Sequence, residues 1–144
     1  MRQNKGQSLV EVVVGVGMMS LLLVALLALI SLSVKNSRMA KNRAQAVALA
    51  NQGVELMRAY RDYSWDDFID DADGSEYVLG ANWTVGSELD IPDCDEDNFI
   101  YSGSIFSRCV NLSGEVDVVV TVYWQEGSKL NSTIQTTKLT IWER

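Results

Sequence analysis

The sequence predicts an α+β protein, a long N-terminal helix packed on a C-terminal antiparallel β-sheet. Three observations carry that expectation. Val12 to Val34 is a run of 23 residues without a charge. Lys35 to Arg61 contains no proline and a single glycine, Gly53, in an alanine-rich stretch. EVDVVVTVYW alternates apolar and polar residues with the period of a strand, and STIQTTKLTIW follows it after the turn QEGS.

The chain has 144 residues, enough for one domain of ordinary size, with 47% hydrophobic residues and a net charge of −7. Both figures average over two unlike halves, because almost every acid lies after Asp62. The acidic balance argues against direct nucleic-acid binding, which needs clustered Lys and Arg. The chain contains no histidine, which excludes histidine acid/base chemistry and His-ligated metals. No Gly-rich phosphate loop and no paired nucleophile and base are present, so no enzyme and no cofactor are expected.

As a helix the apolar run would be ~35 Å long, sufficient for a hydrocarbon core of ~30 Å. It exceeds the ~7–15 apolar residues of a secretory signal, and no small-x-small cleavage site follows it, so a permanent span is favoured. Lys35, Arg38, Lys41 and Arg43 on the far flank favour the C-terminal side as cytoplasmic by the positive-inside rule. A disulfide between Cys94 and Cys109 favours the reverse. That bond would close a loop worth about 3 kcal/mol in the chain-entropy model and requires a compartment outside the cytosol. The extracytoplasmic placement is the one adopted; two unrelated buried thiols are the alternative reading.

Glu11 stands at the leading edge of the span, where a carboxylate needs a partner. One reading makes it a boundary residue, where the helix leaves lipid. The local pattern is more specific: Lys5-Gly6, then Gln7-Ser8-Leu9-Val10-Glu11, then unbroken apolar residues. This resembles the N-terminus of type IV prepilins and the pseudopilins of type II secretion. The resemblance implies a leader of residues 1–6, cleavage between Gly6 and Gln7 by prepilin peptidase, and N-methylation of Gln7. It also implies that Glu11 of one subunit faces the Gln7 ammonium of a neighbour during assembly. Gln7 stands where Phe or Met is usual, and the span has no proline, which points to a minor pilin.

Residues 7–34 are then the transmembrane half of a pilin-like helix and 35–62 its amphipathic half. Ala40, Ala44, Val47, Val54 and Met57 form the expected buried stripe. Together the two halves approach 55 residues, or ~80 Å of helix. Residues 63–144 form an extracytoplasmic sheet domain with acidic loops. EYVL and NWTV suggest a short strand pair, and IFSRCVNL a further strand. Val116, Val118, Val120, Val122 and Trp124 share one face of the Val-rich strand. The strands ending in Trp124 and Trp142 loosely resemble minor pilins of the modification type.

Two acidic clusters raise a calcium reading: Asp70, Asp71, Asp73 and Glu76, and Asp93, Asp95, Glu96 and Asp97. Neither has EF-hand spacing. Solvated loops are the preferred reading, with Asp93, Asp95 and Asp97, beside Cys94, the first choice should calcium bind.

The function the resemblance implies is a structural, minor subunit of a type IV pilus-like filament. Its partners would be other pilin subunits through the N-terminal helix, prepilin peptidase, an inner-membrane assembly platform and the membrane. It would be a single-pass membrane protein before assembly and part of a cell-surface or periplasmic filament afterwards. The alternatives are a minor pseudopilin of a secretion or DNA-uptake machine, and a membrane-anchored binding or adhesin domain that never polymerises.

Overall fold

The computed structural model describes residues 5–89, 104–114 and 117–140, with side chains from residue 9 onward. Cys94 and the acidic cluster Asp93, Asp95, Glu96 and Asp97 lie outside the described residues, as do Val116 and Trp142. The chain divides into two compact units, Met1–Ala40 and Lys41–Arg144.

One helix, α1 (Lys5–Tyr63), contributes to both units. In the first unit the large apolar side chains from Leu9 to Val34 are all exposed, Leu21 to 73%. This helix is long and apolar enough to cross a membrane. An unpartnered hydroxyl would oppose that, because lipid offers no hydrogen bonds. Ser20 Oγ instead donates to the Val16 carbonyl at 2.8 Å, within the helix.

In the second unit, the rest of α1 is followed by α2 (Trp65–Asp70) and four antiparallel strands: β1 (Glu76–Val78), β2 (Phe106–Ser113), β3 (Asp117–Glu126) and β4 (Lys129–Lys138). Their order in the sheet is sequential, β1-β2-β3-β4. The β3–β4 hairpin pairs Glu126 with Lys129. Its two-residue loop needs positive φ, which Gly127 supplies at 64°.

The core lies between α1 and the inner face of β2 and β3. Val118, Val120, Val122 and Trp124 alternate inward as expected, opposite Leu112, Val110, Arg108 and Phe106 of β2. The helix stripe is the expected one only at its C-terminal end, where Val54 and Met57 are buried and Val47 is half-buried. Ala40 and Ala44 are exposed, and the buried face is Ala46, Ala50, Gly53, Val54, Met57 and Tyr60. In an alanine-rich segment almost every phase offers a small apolar stripe. The phase is fixed instead by where backbone must approach the sheet, at Gly53: a Cβ there would lie 2.8 Å from Val120 Cγ1.

The EYVL–NWTV pair does not form. β1 pairs with β2, placing Tyr77 opposite Val110. Asn82 to Val85 runs through turns closed by Trp83 N–H to the Gly80 carbonyl and Ser87 N–H to the Thr84 carbonyl. A partner already committed by eight residues of pairing with β3 offers β1 a ready edge, whereas NWTV places Trp83 edge-on to the Tyr60 ring at 5.6 Å. The aromatic residues of α2 pack against the end of α1: Ser64 caps α2, its Oγ accepting from Asp67 N–H. Phe68 is thereby buried, 5.9 Å from both the Tyr60 and Trp65 rings.

Candidate functional site

The N-terminal motif starts from backbone. Gly6 and Gln7 fall in the first turn of α1, so the bond between them is helical. Glu11 is exposed on the same helix, among exposed valines. Residues three and four positions away, Gln7, Ser8, Val14 and Gly15, carry no side-chain cation, so no helical ion pair can form. Among the described residues Glu11 has no salt bridge. Among the described residues, nothing balances this carboxylate at the start of an exposed apolar stretch.

Cys109 is buried in β2, facing Thr121 across the outer side of the sheet. It is not a free thiol. Its expected partner Cys94 lies outside the described residues.

The acidic cluster at 70–76 is tied to the fold. Tyr60 Oη donates to Asp71 Oδ2 at 2.7 Å. Tyr77 Oη donates to the Asp71 carbonyl at 3.0 Å and reaches Asp73 Oδ1 at 3.3 Å. The Ser75 N–H donates to Asp73 Oδ1 at 2.7 Å and holds that carboxyl below its ordinary range. Burial, then the bond to Asp71, push the Tyr60 phenol well above its ordinary value. Among the described residues no three His, Cys, Asp or Glu side chains converge as a metal site. Asp71 and Asp73 serve instead as acceptors that fasten the loop after α2 to α1 and β1.

Beside them opens a pocket of about 560 Å³. Its lining includes Tyr60, Tyr63 and Tyr77 and the carboxylates of Asp67, Asp70, Asp71 and Glu88. Among the described residues no Lys or Arg lines it. The spacing of these residues in sequence gives no hint of the pocket, since it forms only when α2 and residues 86–89 meet the end of α1.

Sequence reasoning also misses Arg108, which is 1% exposed in β2. Its guanidinium donates to the carbonyls of Leu79, Gly80 and Leu49 and to Gln52 Oε1 at 3.0–3.2 Å. Burial lowers its pKa to about 10, so it remains protonated at neutral pH. It ties α1, β2 and the chain after β1 together through backbone acceptors. No family model, characterised protein or solved structure matches the chain.

Proposed function

We propose that this chain is a minor structural subunit of a type IV pilus-like filament, cleaved after Gly6 and assembled through its N-terminal helix. The observation that carries the reading is Glu11, a carboxylate without an ion-pair partner among the described residues, at the head of a helix whose large apolar side chains from Leu9 to Val34 are all exposed. An anchor that only holds a domain at a membrane gains nothing from that charge. A polymer of such helices does.

Cleavage at Gly6 would create an ammonium at Gln7, four residues before Glu11. Two opposite charges about 4 Å apart attract by about 4 kcal/mol at an effective dielectric of ~20. Removing one partner from such a pair in an apolar setting costs more than the pair contributes. An incoming subunit whose ammonium meets an unpaired Glu11 is therefore favoured over one in any other register. A minor pseudopilin of a secretion or DNA-uptake machine would use the same assembly step.

Replacing Glu11 by glutamine tests the reading. Cleavage at Gly6 should proceed, because the peptidase site is untouched, while recovery of the subunit in sheared filaments falls at least about tenfold, the equivalent of 1.4 kcal/mol. Normal recovery of E11Q would remove the pairing mechanism. A second reading, an anchored binding domain, draws on the tyrosine and carboxylate pocket, and it requires the chain to keep its leader and stay out of filaments.

A further inference from the structure

The charges of this chain are segregated. No acid occurs between Glu11 and Glu55, and that interval holds Lys35, Arg38, Lys41 and Arg43. All four are exposed on α1 and, among the described residues, none makes an ion pair. At 100° per residue they form a collar around much of the helix. The opposite set lines the tyrosine pocket. Asp67, Asp70 and Glu88 are exposed there, and among the described residues none of them, nor Asp71, has a cationic partner.

We infer that the pocket receives the basic collar of a second copy of this chain, an inference that rests on the filament reading. Charge complementarity names the occupant: among the described residues each chain carries both a basic set and an acidic recess without an ion-pair partner. The recess also suits the shape of a lysine or arginine side chain. Tyr63 lies against Gly86 and, with Tyr60 and Tyr77, gives apolar wall for an aliphatic stem, while the carboxylates meet the charged head. The contact is heterologous: one copy uses its collar, the other its pocket, and each retains the unused complement. Such a contact joins two copies head to tail without closing a pair, wherever copies of this subunit are neighbours in the filament.

The test uses the full chain in sheared filaments grown from isotopically light and heavy protein mixed before assembly, treated with a zero-length carbodiimide. The expected product is light–heavy peptide pairs joining Lys35 or Lys41 to Asp67, Asp70, Asp71 or Glu88. Reversing the collar (K41E with R43E) or the pocket (D67K with D70K) lowers recovery in filaments about tenfold, and combining the two restores it to within about twofold, as for a close charge pair. Thermal melting of each variant by circular dichroism, unchanged from the native chain, keeps misfolding from imitating the effect. Filaments without mixed-isotope links at these residues overturn the inference and leave the filament reading standing. Impairment by collar reversal alone, without rescue by the pocket variant, assigns the collar to anionic lipid headgroups and also overturns it. A chain cleaved at Gly6 that forms no filaments removes both.

Discussion

Replacing Gly53 with alanine sets two opposing terms against each other. In an open helix the change stabilises by up to about 1 kcal/mol, because glycine loses the most backbone freedom on folding. At Gly53 the new Cβ would sit 2.8 Å from Val120 Cγ1 and 3.2 Å from Arg108 Cδ. Ordinary contact begins near 3.4 Å, so Val120 must retreat by more than half an ångström and Arg108 by about a third of that. Val120 has little room for that. It is fully buried in β3, paired to Val110 on one side and Gln135 on the other, and its branched side chain is stiff. Arg108 is held by four acceptors. Overpacking of this kind costs about 1–3 kcal/mol, and it outweighs the propensity gain. The net expectation for G53A is destabilisation of about 1–2 kcal/mol, a fall in melting temperature of roughly 4–16 °C for a domain of this size. Gly15 supplies the control, since a Cβ there meets nothing within 4 Å; G15A should not lower the melting temperature. Thermal melting followed by circular dichroism in detergent reads both. A G53A variant as stable as the native chain, or more so, would refute the close approach of α1 to β3.

Arg108→Ala should destabilise by about 3–5 kcal/mol, since the Leu79 and Gly80 carbonyls lose their charged donor at about 1–3 kcal/mol each and the stem leaves a void. Lysine should rescue it only in part, because one ammonium cannot serve acceptors spread over α1 and the chain after β1; a urea midpoint unchanged in R108A would contradict the staple. Tyr60→Phe should cost about 1 kcal/mol for the lost bond to Asp71. It should also flatten the alkaline loss of stability. The native phenol's pKa is raised above the ordinary 10.0, so its contribution is full below pH 10 and fades as the pH climbs through the raised value; identical alkaline unfolding curves for Y60F and the native chain would sink that assignment.

Much of the fold is legible in the sequence where a pattern is both local and periodic. The apolar run of α1 and the alternation of β3 are of this kind, and Gly127 marks the hairpin. Ser64 followed by Asp66 and Asp67 is a readable start for α2, although the sequence reading ends its helix there without beginning another. The remainder depends on contacts between distant segments. Ala40 and Ala44 are as apolar as Ala46 and Ala50, and only the fit of Gly53 against β3 decides which pair is buried. β1 is too short to specify its partner. Nothing within IFSRCVNL singles out Arg108, because nothing nearby shows that Leu49, Gln52, Leu79 and Gly80 converge on it. For the candidate sites, Glu11 is legible because its meaning lies in a contrast with its immediate neighbours. The tyrosine pocket is not, because its walls come from segments that meet only on folding.

Cleavage between Gly6 and Gln7 is the step on which the filament account turns. Intact mass and N-terminal peptide mapping of the protein from its native membrane, with a sheared-filament fraction beside it, tests that step directly. The account predicts a chain that begins at Gln7, carrying an added methyl, in both fractions. A chain that still begins at Met1 or Arg2 while the peptidase is active, and that is absent from filaments, would contradict it and return Glu11 to the edge of a simple membrane anchor.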